Sequence, residues 1–175
     1  MLTLVLGGSA SGKSAHAEKL VCARAESRLY LATMQPFGKA AEERIARHRA
    51  LRAGKGFDTV ERPLDLAHLT LPRRYDGILL EDLGNLLANE RFAPDGAGEA
   101  AFGSILAGLE RLQAYCETLV IVSNEIFSDG VPYPPETAQY IRVLGELHRA
   151  IAARADEVYE SVCGILLPVK EGKKR

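Results

Sequence analysis

Short apolar runs alternate with longer stretches of helical character along the chain. The first run, residues 2–6, is long enough for one buried strand, and a Gly-rich turn follows it. Residues 12–25 carry good helix formers and predict a first helix. Residues 28–33 (Arg-Leu-Tyr-Leu-Ala-Thr) predict a second strand. A loop with Pro36 comes next, then a helix over 39–53 that stops near Gly54 and Gly56. The alternation at 57–61 predicts a short strand, 63–66 begin a short helical or loop segment, and 72–77 form a turn. An apolar strand over 77–82 leads into a helix over 83–89, a Gly/Pro loop at 93–98 and an amphipathic helix over 99–115. Residues 118–123 are a near-continuous β-branched run, as expected of a strand covered on both faces of a parallel sheet. A Gly/Pro-rich loop at 127–135 has the character of a substrate lid. A long helix is predicted over 136–155, and two apolar runs around Gly164 predict a hairpin within 157–169. This order predicts an α/β fold with a mostly parallel sheet flanked by helices. The boundaries are one domain over residues 1–170 and a basic tail at 171–175.

Composition narrows the classes. At 175 residues and 47% hydrophobic content the chain can bury a full core. A net charge of −1 argues against a general nucleic-acid or anionic-membrane binder. No basic start precedes a long apolar segment, and no apolar run approaches roughly 20 residues, so neither a signal peptide nor an integral membrane segment is expected. Cys22, Cys116 and Cys163 are widely spaced and form no CxxC pair. They are expected to be small buried apolar residues in a reducing cytoplasm, without a disulfide framework or zinc site.

The chemistry concentrates after the first strand. Gly7-Gly8-Ser9-Ala10-Ser11-Gly12-Lys13-Ser14 reads G-x-x-x-x-G-K-S, a phosphate-binding loop between a strand and a helix. Its backbone N–H groups and the helix N-terminus would cradle a polyphosphate. Lys13 would reach the β- and γ-phosphates, and the Ser14 hydroxyl would hold Mg²⁺. The strand over 77–82 ends in Glu81-Asp82, the Walker-B pattern; either acid could serve the metal while the other caps the next helix. Asn124 and Glu125 stand just past another strand end, where α/β sheets bind ligands, though turn formation would explain them equally. His16 is expected to be a partly exposed helix residue near the phosphates. Arg44, His48 and Arg52 fall in one stripe at i, i+4, i+8, with Arg47 and Arg49 adding charge. That stripe would suit an anionic ligand, but on spacing alone a solvated basic face with His48 half-buried against Ile45 is the better reading. The residues alone therefore lead to a P-loop nucleoside-triphosphate-binding protein.

The chain also resembles a family. The carrying segments are the P-loop followed by Ala17-Glu18, then Tyr30-Leu31-Ala32-Thr33, Arg44-Ile45-Ala46-Arg47-His48-Arg49 with Arg52, and Glu61-Arg62-Pro63-Leu64-Asp65-Leu66. After these come the Glu81 strand end with Asn89, Val122-Ser123-Asn124-Glu125 with Val131-Pro132, and Ala155-Asp156-Glu157-Val158. In this order and spacing they resemble the cobinamide kinase/cobinamide-phosphate guanylyltransferases of adenosylcobalamin biosynthesis. The resemblance implies ATP and GTP as substrates, Mg²⁺ as cofactor, adenosylcobinamide and its phosphate as acceptors, and a homotrimer. It implies that His48 takes GMP from GTP, with Arg44, Arg49 and Arg52 as phosphate partners and Glu61 at the nucleotide. An unperturbed imidazole, pKa about 6.5, is largely neutral at cellular pH and so available as a nucleophile.

The chain departs from the common family pattern at several points. Ala10 stands where many relatives carry Arg, and Glu81-Asp82-Leu83-Gly84 where many have Asp-Cys-Leu-Thr. Phe127-Ser128-Asp129 is bulkier and more acidic than the usual Gly-rich loop, and Gly145-Glu146-Leu147-His148 replaces a Gly-Arg-x-Asn pattern. Two other functions compete with this one. A small-metabolite kinase would use the same P-loop without a histidyl intermediate, but such enzymes carry an Arg-rich lid distal to the P-loop, not a cluster at 44–52. A nucleotide-binding regulator would be supported by an Asn-Lys-x-Asp motif, which the chain lacks.

Overall fold

The computed structural model describes residues 1–35, 54–128 and 130–172. The helix predicted over 39–53, and with it Arg44, His48, Arg49 and Arg52, lies outside the described residues, as does Asp129.

The strands are β1 (Leu2–Gly7), β2 (Arg28–Ala32), β3 (Phe57–Glu61), β4 (Tyr75–Glu81), β5 (Cys116–Asn124), β6 (Glu157–Val162) and β7 (Ile165–Lys170). The helices are α1 (Lys13–Arg24), α2 (Leu83–Phe92), α3 (Ala101–Ala114) and α4 (Pro135–Arg154). Short 3₁₀ turns occupy Leu66–His68 and Gly98–Ala100. The strands form one sheet in the order β3-β2-β4-β5-β1-β6-β7. Every neighbouring pair is parallel except β6 and β7, which make the predicted hairpin.

Both faces of the central strands are covered, which is why their sequences run apolar rather than alternating. On one face Val5, Tyr30, Leu79, Val120 and Val122 pack against Ala17 and Val21 of α1. On the other, Leu4, Leu31, Ile78, Leu80 and Ile121 meet the buried sides of α2, α3 and α4. Burying each such side chain is worth about 1.5–3 kcal/mol. Gly77 lets α1 approach, since a Cβ there would sit 2.7 Å from Ala25 Cβ and 2.9 Å from Val21 Cγ1.

Three boundaries differ from the sequence expectation. β4 begins at Tyr75, inside the expected turn, because Tyr75 N donates to Tyr115 O at 2.9 Å and Asp76 N to Ser27 O at 3.0 Å. α3 starts at Ala101 because Gly98 takes a left-handed φ of 59° and opens a 3₁₀ turn. α2 continues past Asn89 to Phe92. The cysteine expectation also needs correction. Cys116 is buried, but Cys22 is half-buried and Cys163 is exposed. Cys163 lies at the tip of the β6–β7 hairpin with φ of 49°, a turn position that faces solvent. Among the described residues, no helix is long and apolar enough to cross a membrane.

The parallel registers bring chosen residues to one edge. Ala32 stands between Glu61 and Glu81, and Gly7 between Asn124 and Ser161. All are at or beside the carboxyl ends of their strands, where open α/β sheets bind ligands.

Candidate active site

The phosphate loop leaves β1 at Gly7 and enters α1 at Lys13. A side chain at Gly7 would collide with Ser11 Oγ and stand 2.7 Å from Ser161 O. Gly12, at the N-cap of α1, has φ of 92°, a conformation open to glycine and strained for other residues. Ser11 N donates to Gly8 O at 3.3 Å, and Lys13 Nζ folds back to donate to the same carbonyl at 3.0 Å. Burial holds the Lys13 ammonium below its usual pKa, and the charges of Asp82 and Glu81 partly offset this. Ser9, Ala10 and Gly12 stay exposed on the loop, Gly8 is half-buried, and Ser11 is buried.

The two acids at the end of β4 do different things. Ser14 Oγ donates to Glu81 Oε1. Glu81 Oε2 is buried and has no hydrogen-bond partner among the described residues. Burial pushes the Glu81 carboxyl up, against the lowering effect of the Ser14 hydroxyl. Asp82 instead caps α2. Its Oδ1 accepts from Asn85 N at 2.6 Å, and its Oδ2 from Asn85 Nδ2 at 3.2 Å and Asn124 Nδ2 at 3.4 Å. Its carboxyl is likewise raised by burial, opposed by the Asn85 backbone bond and the charge of Lys13. The Ser14 hydroxyl and the unpartnered Glu81 oxygen form a hard-oxygen donor set of the kind Mg²⁺ takes alongside nucleotide phosphates. The residues present therefore fit the metal.

Other candidates surround this centre. Glu61 ends β3 and is exposed, one strand beyond Ala32. Glu125 N donates to Gly7 O at 3.0 Å, fastening the end of β5 to the start of the P-loop. Glu125 Oε1 accepts from Phe127 N at 3.0 Å and Ser128 Oγ at 2.9 Å, shaping the following loop. Asn89 Nδ2 donates to Thr33 O and Pro63 O, both at 2.8 Å, and ties the chain leaving β2 to the chain leaving β3.

The sequence did not point to two sets of contacts near the strand ends, one of which supports the loop. Ser11 O accepts from Gly164 N at 2.9 Å and from Ser161 Oγ at 2.8 Å, while His16 Nε2 lies 3.0 Å from Gly164 O. The β6–β7 turn thus braces the P-loop. In the second set, His148 Nε2 lies 2.7 Å from Ser123 Oγ, and the Phe127 ring meets the imidazole edge-on at 5.5 Å between centroids. Neither contact has a local signal, since the partners are far apart in sequence.

Residues 3–169 match the sequence model of the family described as cobinamide kinase / cobinamide phosphate guanyltransferase. The chain belongs to this family. Over 172 residues it is 34% identical to the bifunctional adenosylcobalamin biosynthesis protein CobP of Pseudomonas aeruginosa, covering 97% of this chain and 98% of that one. Over 183 residues it is 32% identical to the bifunctional adenosylcobalamin biosynthesis protein CobU of Salmonella typhimurium, covering 97% and 100%. Among solved structures, a type III secretion system ATPase superposes with a TM-score of 0.56 at 14% identity, covering 96% of this chain and 56% of that one. The KaiC-like protein PH0186 of Pyrococcus horikoshii gives 0.55 at 12% identity, covering 99% and 80%. These likenesses concern the fold, which is that of a P-loop NTPase with a mostly parallel sheet, as the motif and the alternation of elements predicted.

Proposed function

We propose that the chain phosphorylates adenosylcobinamide with ATP or GTP and then transfers GMP from GTP to the product, giving adenosylcobinamide-GDP. The observation that carries the kinase half is the meeting of Lys13, Ser14 and Glu81 around the P-loop of a chain matched to the family nearly end to end. In this reading residues 7–14 wrap the nucleotide phosphates, and Lys13 and the backbone donors neutralise charge on the transferred group. The acceptor hydroxyl oxygen bonds to the γ-phosphorus, the bond to the β,γ-bridging oxygen breaks, the nucleoside diphosphate leaves and the hydroxyl proton passes to solvent. Mg²⁺, held by Ser14 and Glu81, would offset phosphate charge when bound.

In the transferase half His48 is the proposed nucleophile. Its imidazole bonds to the α-phosphorus of GTP and pyrophosphate leaves. The phosphate oxygen of adenosylcobinamide phosphate then displaces the histidine and takes the GMP. Arg44, Arg49 and Arg52 are the proposed partners of the phosphate oxygens, with Glu61 at the nucleotide. We place the reaction in the cytoplasm, carried by a single unit over 1–170 that assembles as a homotrimer.

The test is incubation with GTP, Mg²⁺ and adenosylcobinamide, with the corrinoid products identified by mass. Both the phosphate and the GDP adduct are expected. Phosphate alone would make the chain a kinase-only relative, for which Ala10 and the Phe127-Ser128 loop are the differences to examine. Nucleotide binding with neither product would leave a regulator.

A further inference from the structure

Three cavities share lining residues pairwise, beginning at Ser9 of the P-loop. One, of about 500 Å³, opens at Ser9 and Glu125 and is walled by Tyr133, Thr137 and Tyr140. A second, of about 390 Å³, shares Thr137 and Tyr140 with the first and reaches Phe92 across the gap between α2 and α4. A third, of about 470 Å³, shares Phe92 and Ala88 with the second and extends to Leu64 and Gln35. Each lies within the range of an ordinary ligand pocket, and their shared walls make one trough sized for a ligand larger than any single one holds.

We propose that this trough seats the corrinoid acceptor, with its hydroxyl-bearing arm at the Ser9 end and its macrocycle against Tyr140 and Phe92. This rests on the activity proposed above and adds the residues that recognise the acceptor.

Two properties of the walls select this occupant. The first is a broad aromatic surface. The rings of Phe92 and Tyr140 lie 6.3 Å apart between centroids at a tilt of 36°, and Tyr140 is pinned by its hydroxyl, which donates to Gly84 O at 3.0 Å. Phe92 is 56% exposed and Tyr133 39%, an apolar area that a flat macrocycle would cover. The second property is charge. Glu125, Glu136 and Asp95 line the trough, while no Lys or Arg is among its described lining residues. A cationic cobalt macrocycle with amide-bearing arms is attracted by such a rim, and its amides find acceptors in the same carboxylates. Continuity with Ser9 then brings the acceptor arm to the loop that holds the donor phosphate.

The test compares wild type with Thr137→Trp, which fills the shared wall from a partly exposed helix position, and with Phe92→Ser, which removes an exposed ring. Adenosylcobinamide binding is measured by equilibrium dialysis, its KM in the kinase assay, and GTP affinity and thermal melting in parallel. Thr137→Trp is expected to weaken adenosylcobinamide binding by at least about tenfold and Phe92→Ser by about threefold, with GTP affinity within about twofold of wild type. Two folded variants that keep wild-type affinity and KM for adenosylcobinamide, with wild type active, would overturn the trough and leave the activity standing. A change in oligomeric mass without a change in corrinoid KM would assign the surface to a second copy of the chain and also overturn it. Wild type that neither binds nor phosphorylates adenosylcobinamide would remove the activity, and the trough's role with it.

Discussion

His148 and Ser123, on α4 and β5, are hydrogen-bonded at 2.7 Å with both side chains buried. Burial pushes the imidazole down to about 4, and the nearby charge of Glu125 only partly offsets this. The folded pKa therefore lies below the unfolded value of 6.5, so between the two the unfolded chain binds more protons. The stabilisation is full above 6.5 and is lost as pH falls toward 4. Urea unfolding at about pH 7 and about pH 4.5 should show wild type losing about 2.5 kcal/mol more than His148→Gln over the interval. Equal losses would mean that the imidazole takes up its proton at the same pH in the folded and the unfolded chain.

Lys13→Ala should abolish the kinase step with both ATP and GTP. Lys13 Nζ rests on Gly8 O, and the motif assigns this cation to the transferred phosphate. Turnover of adenosylcobinamide, followed by phosphate transfer from γ-labelled donors, checks this. Near-normal rates with both nucleotides would take the P-loop out of the kinase mechanism.

Glu81→Gln should raise the Mg²⁺ concentration needed for half-maximal kinase activity by about tenfold, whereas Asp82→Asn should change it by less than about twofold. Glu81 accepts from the P-loop serine, while Asp82 is engaged at the N-cap of α2. Asp82→Ala should instead lower the unfolding free energy by about 1 kcal/mol through loss of that cap. A larger metal effect at Asp82 than at Glu81 would reverse the assignment.

His48 should carry GMP. GTP labelled at the α-phosphate should label wild-type protein through an acid-labile, base-stable bond, and a γ-label should not be retained. His48→Ala should take up no label and make no GDP adduct while still phosphorylating adenosylcobinamide, provided that its melting curve shows it folded. Labelling of the folded variant would move the nucleophile elsewhere.

Much of the sheet could be read from local pattern. Residues 2–6 and 118–123 are short, largely apolar runs, the second rich in β-branched residues, as covered strands are, and Gly164 between two apolar runs marked the hairpin. The P-loop was legible because its chemistry is contiguous, from Gly7 to Ser14. Two kinds of feature were not. Boundaries set by distant partners escaped, as at Tyr75, whose amide is paired with Tyr115. So did contacts between remote segments, because parallel strand order is decided by crossovers and leaves no periodic trace in either partner. Two adjacent acids leave the choice between Glu81 and Asp82 open by pattern, and it was the family resemblance that pointed to Glu81 for the metal. In the fold one meets Ser14 while the other meets Asn85.

The brace on Ser11 has a consequence in time. Its carbonyl takes both its side-chain and its backbone donor from Ser161 and Gly164, which are synthesised about 150 residues after it. A chain emerging from the ribosome has its nucleotide motif exposed almost from the start, yet lacks the turn that fixes its shape until the hairpin is out. In a chain halted before Ser161 the Ser11 carbonyl has neither donor, so the shape of the loop at that point is completed only when the β6–β7 turn has formed.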